Sequence, residues 1–248
     1  MFEEYLDIKK EMELVYLHDK RPWMIGYSGG KDSTVVAMLA KKVWGDNVFG
    51  VLMPNGTQSD LEDSLKVVNG LNIKYEIVNI QESYNAIISQ IKHTKISDKA
   101  KTNIPPRLRM TILYAIAQTL GYRVIGTGNA SERTIGWTTK WGDSAYDFNP
   151  IACLTCTEVV KLGVELAKEF GLDETLVNKK PSDGLTGKSD EDNFGFTYKQ
   201  LDDWILLGTS GNNEVDDKIQ LLREYGMHKQ SMPKIFDPYL NWPDDIPF

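Results

Sequence analysis

Cysteine and histidine are scarce in this chain. Of its 248 residues, two are cysteines, Cys153 and Cys156, and three are histidines, His18, His93 and His228. The cysteines form a single Cys-x-x-Cys, which offers too few ligands for a four-ligand zinc site unless histidines contribute. Because the histidines are scattered along the chain, we expect no metal cluster built from these two residue types.

Long apolar runs and an excess of basic residues are also missing. No run approaches the ~18 residues that a membrane span requires, and the first residues do not form a basic region followed by an apolar one. We therefore expect a cytoplasmic protein with no membrane partner. The 35 acidic residues exceed the 28 basic ones, which argues against nucleic acid as a partner. The length suits one α/β core, so we expect residues 1–248 to form a single domain.

Short apolar segments alternate with helical patterns, above all in the first half of the chain. The predicted strands cover residues 23–27, 48–53, 75–80 and 123–127. The predicted helices cover residues 34–43, 59–68, 82–91, 106–120 (with proline in its first turn), 157–170, 198–207 and 213–225. This alternation predicts an α/β fold, a parallel sheet with helices on both faces, whose ligands bind beyond the carboxyl ends of the strands.

Two polar segments interrupt this pattern. Residues 92–103 are rich in lysine and are predicted to be disordered. Residues 179–196 contain proline, glycine and several acidic residues and are predicted to form a long mobile loop, either a lid over a site or a solvated connector.

A glycine-rich segment, Gly26-Tyr27-Ser28-Gly29-Gly30-Lys31-Asp32-Ser33, joins the first predicted strand to the following helix. Adjacent glycines allow backbone N–H groups to surround an anion, and a helix start adds unpaired donors and the positive end of its dipole. The segment therefore predicts a phosphate site, with a capped glycine turn as the simpler alternative. It is not the P-loop of nucleoside triphosphatases, because Ile25 replaces the first glycine of that motif and Asp32 replaces its hydroxyl residue.

Residues 28–33 resemble instead the Ser-Gly-Gly-x-Asp-Ser signature of the ATP pyrophosphatases, which cleave ATP between the α and β phosphates. In that resemblance Ser28, Gly29, Gly30 and Ser33 surround the departing pyrophosphate. Asp32 is placed to bind Mg²⁺ through its carboxylate oxygens.

Further motifs resemble those of the NAD synthetase family, in the family's order, from about residue 20 to 235. They are Gly56-x-Gln58-x-Asp60, Arg107-x-Arg109-Met110, Gly126-Thr127-Gly128-Asn129 with Glu132, residues 136–143 with Asp147, Pro181-Ser182, Ser189-Asp190-Glu191, Gly195-x-x-Tyr198-x-x-Leu201-Asp202-Asp203 and His228-Lys229. The resemblance implies an adenine nucleotide alpha hydrolase-like, Rossmann-like fold. It also implies a homodimeric ligase that condenses deamido-NAD⁺ with ammonia at the expense of ATP, through an adenylated carboxylate, giving NAD⁺, AMP and pyrophosphate.

The same resemblance implies roles for individual residues. The residues matching the family's ATP contacts are Gly26, Tyr27, Ser28, Gly29, Gly30, Lys31, Asp32, Ser33, Gln58, Thr127 and Ser182. The residues matching its deamido-NAD⁺ contacts are Arg107, Lys140, Asp147, His228 and Lys229, with Trp137 or Trp141 as a stacking surface. Asp32 and Glu132 match the Mg²⁺ ligands, and with Lys31 they form the predicted catalytic group.

Two departures from the family pattern keep other functions open. Family members usually carry a lysine where Cys156 stands and an arginine where Leu52 stands, both beside ATP. Losing two cations weakens phosphate binding unless Lys31 or other basic groups compensate. One alternative is an ATP pyrophosphatase that uses Cys153 or Cys156 for sulfur transfer, and another is a non-catalytic nucleotide-binding paralogue. A plainer interpretation is that both cysteines are small buried residues.

The nitrogen donor is also constrained by length. A glutaminase module needs a sizeable domain with its own nucleophile, and the 248 residues leave no room for one beside the synthetase domain. We therefore expect free ammonia, or ammonia delivered by a partner subunit, as the nitrogen source.

Overall fold

A computed structural model describes residues 3–57, 60–178 and 189–231 of the chain. The strands are β1 (Trp23–Tyr27), β2 (Val48–Leu52), β3 (Lys74–Ile77) and β4 (Arg123–Ile125). The α-helices are α1 (Glu3–His18), α2 (Lys31–Trp44), α3 (Asp60–Gly70), α4 (Gln81–Gln90), α5 (Asp98–Leu120), α6 (Ala130–Thr134), α7 (Cys156–Phe170), α8 (Asp190–Phe194), α9 (Tyr198–Leu207) and α10 (Asn213–Gly226). Two short 3₁₀ helices follow α7 and α10, at Glu174–Leu176 and Met227–Lys229.

The four strands form one parallel sheet in the order β3-β2-β1-β4. Ile25 lies opposite Gly50 of β2 and opposite Ile125 of β4. The chain moves outward from β1 to β3, then returns through α4 and α5 to place β4 on the other side of β1. This reversal of strand order creates a crevice at the carboxyl ends of β1 and β4, where ligands of open α/β sheets bind. The predicted α/β fold is confirmed.

Strand β1 is buried on both faces of the sheet, and its successive side chains point to opposite sides. Trp23 and Ile25 belong to a core cluster formed with α1, α2 and α7. Met24, together with Val124 of β4, belongs to a second cluster that packs against α5. A third cluster, which contains Phe194, Leu201 and Ile219, joins α8, α9 and α10. The third cluster lies next to α6, which begins shortly after β4.

The structure corrects the prediction for residues 92–120. The helix α5 begins at Asp98, with Ser97 as its N-cap accepting a hydrogen bond from the backbone N–H of Ala100 at 3.2 Å. Residues 98–103 are therefore helical and not disordered. Pro105 and Pro106 lie inside α5, not in its first turn. Each proline removes one backbone hydrogen bond to the carbonyl four residues earlier, which is why the sequence favoured a helix starting at residue 106.

The predicted loop at residues 179–196 is also wrong in part. Residues 190–194 form the short helix α8, whose N-cap Ser189 forms a reciprocal pair of hydrogen bonds with Asp192. Residues 179–188 lie outside the described residues. In the described part of the chain, no helix is both long and apolar enough to cross a bilayer.

Candidate active site

A cavity of about 390 Å³ lies at the carboxyl ends of β1 and β4. All eight residues of the glycine-rich segment line it. Thr127 and Glu132, which follow β4, line it from the other side, and Leu52 and Met53 line it at the end of β2. The structure thus brings together the described residues that the sequence predicted to bind ATP and Mg²⁺. Gln58 and Ser182, also predicted to bind ATP, lie outside the described residues.

The glycine-rich turn is held in its shape by local hydrogen bonds. The backbone N–H of Gly30 donates to Ser28 Oγ at 3.2 Å, and Ser33 Oγ donates to the carbonyl oxygen of Gly30 at 3.1 Å. Gly30 is the extended N-cap of α2, a helix of 14 residues. Lys31, Asp32 and Ser33 therefore form the first turn of α2, where the backbone N–H groups and the helix dipole favour an anion.

Gly29 has a backbone conformation that a larger residue would disturb. Its φ is +77°, and a Cβ atom added there would lie 2.4 Å from the carbonyl oxygen of Asp60. Positive φ and close backbone approach both require glycine. The turn and the start of α3 are consequently in direct contact.

We expect the substitution Gly29→Ala to lower kcat/KM for ATP by about 100-fold, because the turn must shift and its N–H groups lose their alignment. Steady-state kinetics with ATP as the varied substrate measures this effect. Gly45→Ala is the matched control, since Gly45 also has a positive φ, +58°, but a Cβ atom there would meet nothing within 4 Å. Equal losses in the two variants would contradict the proposed role of the turn.

Two hydrogen bonds orient the Asp32 carboxylate. Lys31 Nζ donates to Asp32 Oδ2 at 2.7 Å, and Asn129 Nδ2 donates to Asp32 Oδ1 at 3.0 Å. Lys31 is only 4% exposed. Burial lowers the pKa of Lys31, but the carboxylates of Asp32 and Glu132 raise it more, so that its pKa lies above the ordinary value and the ammonium stays charged. The site therefore holds a buried cation beside its acidic groups.

Glu132 is both a helix-capping residue and part of the cavity wall. It forms a capping box with Asn129 at the start of α6: the Glu132 N–H donates to Asn129 Oδ1 at 3.0 Å, and the Asn129 N–H donates to Glu132 Oε2 at 3.2 Å. Burial, and then the charge of Asp32, raise the pKa of Glu132 to about 8. Burial is the larger cause, and the charge of Asp32 adds to it because a nearby negative charge disfavours ionisation.

Among the described residues, no group of three or more histidine, cysteine, aspartate or glutamate side chains is arranged to hold a metal ion. A pair of carboxylates still fits Mg²⁺, which binds through one or two carboxylates and takes its other ligands from water and substrate phosphates. Asp32 and Glu132 are two carboxylates in the wall of the same cavity, beside the glycine-rich turn.

The two cysteines differ in exposure. Cys156 is buried and Cys153 is exposed, so the expectation that both are buried is wrong for Cys153. Burial raises the pKa of the Cys156 thiol to about 12, and the opposing effect of the Lys31 charge is smaller. Cys156 is therefore protonated near neutral pH and is a poor nucleophile.

Four of the residues predicted to bind deamido-NAD⁺ form a second cluster. Arg107 Nε donates to the carbonyl oxygen of Lys140 at 3.2 Å, and Lys140 Nζ donates to that of His228 at 2.6 Å. Lys229 Nζ donates to the carbonyl oxygen of Gly136 at 2.6 Å. Burial and the neighbouring Lys99 lower the pKa of Lys229.

None of these four residues lines the described cavity, whose wall includes Pro106 and Gly142, close in sequence to Arg107 and Lys140. Both candidate tryptophans lie nearby in sequence and are part-exposed. Trp141 is 48% exposed, with Lys140 Nζ 5.4 Å from its ring centroid, whereas Trp137 packs edge-on against Phe194.

Asp147, the fifth predicted contact of deamido-NAD⁺, lies apart from this cluster. Its Oδ2 accepts a hydrogen bond from the backbone N–H of Val124 at 2.8 Å, and its Oδ1 lies 3.8 Å from Arg123 Nη1. These contacts attach Asp147 to β4. It does not line the described cavity.

Sequence analysis gave no role to three further residues that the structure places at the site. Arg109 lines the cavity, and its Nε donates to the carbonyl oxygen of Met53 at 3.0 Å. Asp190 also lines the cavity and accepts a hydrogen bond from the Tyr198 hydroxyl at 3.0 Å. Asn129 contacts both predicted metal ligands. All three stand within motifs of the resemblance, but the pattern did not separate site residues from structural ones.

The glycine-rich turn and the carboxylates of Asp32 and Glu132 lie at the switch point of a parallel sheet, where α/β proteins of this class bind their ligands. The family model described as NAD synthase matches residues 13–240, and the chain belongs to that family. The predicted family is thus confirmed.

The relatives found by comparison agree with this family. The chain is 42% identical over 217 residues to an NH(3)-dependent NAD(+) synthetase of Carboxydothermus hydrogenoformans, covering 86% of this chain and 87% of the relative. It is 38% identical over 232 residues to one of Finegoldia magna, covering 93% and 92%.

Similar solved structures cover almost the whole chain. The structure of an NMN synthetase from Francisella tularensis has a TM-score of 0.85 at 31% identity, covering 96% of this chain and 98% of that one. An NH3-dependent NAD synthetase from Campylobacter jejuni has a TM-score of 0.75 at 28% identity, covering 94% and 97%.

Proposed function

We propose that this protein is an ammonia-dependent NAD⁺ synthetase that uses ATP to amidate deamido-NAD⁺. The relatives confirm the predicted enzyme class, a ligase of NAD biosynthesis, and do not favour the alternatives of sulfur transfer or non-catalytic binding. The structural observation that carries the proposal is the meeting of the glycine-rich turn, Asp32 and Glu132 around one cavity.

In the proposed reaction the nicotinate carboxylate attacks the α-phosphorus of ATP, pyrophosphate leaves, and ammonia then displaces AMP. The backbone N–H groups of residues 28–33 are placed to hold the departing pyrophosphate. Asp32 and Glu132 would hold Mg²⁺, which neutralises phosphate charge when bound. The chain itself has to orient two anions and exclude water while they react.

Family members usually carry a lysine at the position of Cys156 and an arginine at the position of Leu52. The buried ammonium of Lys31 supports the proposal that another cation compensates for their absence. Leu52 lines the cavity, and Cys156 lies near enough to Lys31 for the lysine charge to influence its thiol. We infer that Lys31 neutralises the phosphate charge for which other family members use a lysine at the position of Cys156.

A functional assay tests the proposal directly. The protein is incubated with ATP, Mg²⁺, ammonium and deamido-NAD⁺, and NAD⁺, AMP and pyrophosphate are measured. Equal amounts of all three products support the proposal, whereas AMP without NAD⁺ contradicts it. The variant Cys156→Ala should keep most of the activity, because a protonated buried thiol takes no part in the chemistry; its inactivity would favour sulfur transfer.

A second candidate substrate is nicotinate mononucleotide, the acid whose amide is NMN. The observation that favours it is the TM-score of 0.85 with the Francisella tularensis NMN synthetase, against 0.75 with the Campylobacter jejuni NAD synthetase. Both acids present the same carboxylate, so the chemistry at Asp32 and Glu132 is unchanged. The ratio of kcat/KM for the two acids, measured under the same ammonium and ATP concentrations, decides between them.

The exposed helices on one side of the sheet support a homodimer. The ten described residues of α4 include no buried residue, and of the 23 residues of α5 only Pro105 and Ala117 are buried. The nearby apolar side chains of Ile77, Ile91 and Leu120 are 47%, 43% and 48% exposed. We propose that this face packs against a second copy of the chain. Sedimentation equilibrium should give twice the chain mass, and a monomer would contradict the proposal.

A cytoplasmic location and a single domain spanning residues 1–248 complete the proposed description. Free ammonia, or ammonia from a partner subunit, is the proposed nitrogen source. An activity that depends on ammonium and does not respond to glutamine supports it.

A further inference from the structure

Asn129 connects the two carboxylates of the site. It is fully buried, with 0% of its surface exposed. Its Oδ1 accepts a hydrogen bond from the Glu132 backbone N–H at 3.0 Å, and its Nδ2 donates to Asp32 Oδ1 at 3.0 Å. Its own backbone N–H donates to Glu132 Oε2 at 3.2 Å. One residue thus contacts the side chains of two residues that are 100 positions apart in the sequence.

These contacts leave the Asn129 amide with one orientation. Because its oxygen must accept the hydrogen bond from the Glu132 backbone, its NH₂ group must point towards Asp32. The neighbouring backbone is also anchored: Asn149 Nδ2 donates to the carbonyl oxygen of Gly128 at 2.9 Å, and the Ala130 N–H donates to that of Leu154 at 2.7 Å. The amide group is therefore rigidly placed.

Helix capping alone does not require asparagine here. Serine, threonine and aspartate are also good N-cap residues, because each offers an acceptor to the backbone N–H groups of the first turn. Among these residues only asparagine has a second side-chain atom that can donate while the first accepts. The donor is what reaches Asp32, whose other oxygen is held by Lys31.

We propose that Asn129 is a positioning residue, which fixes the carboxylates of Asp32 and Glu132 in the relative orientation that binds Mg²⁺ with ATP. The proposal rests on the proposed role of these two carboxylates as Mg²⁺ ligands. Residues that hydrogen-bond to metal ligands, without binding the metal themselves, affect both the metal affinity and the reaction rate.

The test removes the side-chain donor of Asn129 and keeps a side-chain acceptor that can cap α6. In Asn129→Ser the hydroxyl oxygen can still accept from the first turn of α6, but the donor to Asp32 is lost. Asn212→Ser is the matched control, since Asn212 caps α10 through the Glu214 N–H at 3.0 Å and lies outside the cavity wall. Mn²⁺ binding is followed by electron paramagnetic resonance in the presence of α,β-methylene-ATP, and thermal unfolding is recorded without metal.

We expect Asn129→Ser to bind Mn²⁺ about 10- to 100-fold more weakly than the wild type, and Asn212→Ser to bind it equally well. In turnover assays the Mg²⁺ concentration for half-maximal rate should rise for Asn129→Ser, with the KM for deamido-NAD⁺ unchanged. If Asn129→Ser does not fold, Asn129→Thr, which is closer in volume and also caps helices, takes its place.

Two results would overturn the proposal in different ways. If the wild type binds Mn²⁺ and Asn129→Ser binds it equally well, Asn129 is a helix cap only. If the wild type itself binds no Mn²⁺ with the nucleotide analogue, the metal role of Asp32 and Glu132 is wrong, and the positioning role is wrong with it.

Discussion

The substitution Asp32→Ala is expected to lower kcat for NAD⁺ formation by about a thousandfold, which corresponds to about 4 kcal/mol of transition-state stabilisation. Asp32 is one of the two carboxylates proposed to hold Mg²⁺, and its oxygens accept hydrogen bonds from Lys31 and Asn129. Without it, the proposed Mg²⁺ site keeps only Glu132, and the charge on the departing pyrophosphate is poorly neutralised. Coupled assays of pyrophosphate and NAD⁺ measure the loss, and circular dichroism checks that the fold is retained.

Asp46→Ala provides the control for loss of a carboxylate. Asp46 also pairs with a lysine, Lys41, but its side chain is 90% exposed and lies outside the cavity. Its removal should leave kcat unchanged. Activity of Asp32→Ala within tenfold of the wild type, with the same dependence on Mg²⁺, would rule out the proposed metal site.

The substitution Asp202→Ala is expected to destabilise the protein by about 3 kcal/mol, since it leaves buried donors without acceptors. Asp202 is only 3% exposed. Its Oδ1 accepts from Ser131 Oγ at 2.5 Å, and its Oδ2 accepts from the backbone N–H of Thr157 at 2.8 Å. The first contact reaches α6 and the second the N-terminus of α7, where a negative charge is favourable.

Urea-induced unfolding measures this change, and thermal unfolding should show a midpoint lower by about 6–12 °C. The neighbouring residue gives a matched control: Asp203 pairs with Lys199, whose side chain is 80% exposed, so Asp203→Ala should change stability little. Similar stabilities for the two variants would mean that the contacts of Asp202 contribute little to folding.

The parts of the fold and site that sequence predicted well have local causes. Strand β1 was predicted with its observed bounds, Trp23–Tyr27, because a short apolar segment stands directly before a glycine turn. The glycine-rich turn was also predicted from a local feature, its adjacent glycines directly after that apolar segment. The meeting of Asp32 and Glu132 came from the resemblance to the family, since no local pattern shows that β4 pairs with β1.

The failures have tertiary causes. Helix α1 was not predicted, although Tyr5, Ile8 and Met12 have helical spacing, because its burial depends on the distant core around α2. Residues 98–103 have a polar composition that favours disorder, yet Asn103 Oδ1 accepts a hydrogen bond from Thr139 Oγ1 at 2.9 Å in the folded chain. The contact between Asn129 and Asp32 likewise exists only after β1 and β4 come together.

The sheet order has a consequence for how the protein refolds. The glycine-rich turn follows β1, whereas Glu132 and Asn129 follow β4, which is the last strand along the described residues and pairs with β1 at the edge of the sheet. Contacts of such long sequence separation form late, because the intervening loop must be closed first. The proposed affinity for a metal–nucleotide complex should therefore appear only when β4 docks against β1. A fluorescent ATP analogue added during refolding would then report the completion of the native topology rather than the early collapse of the chain.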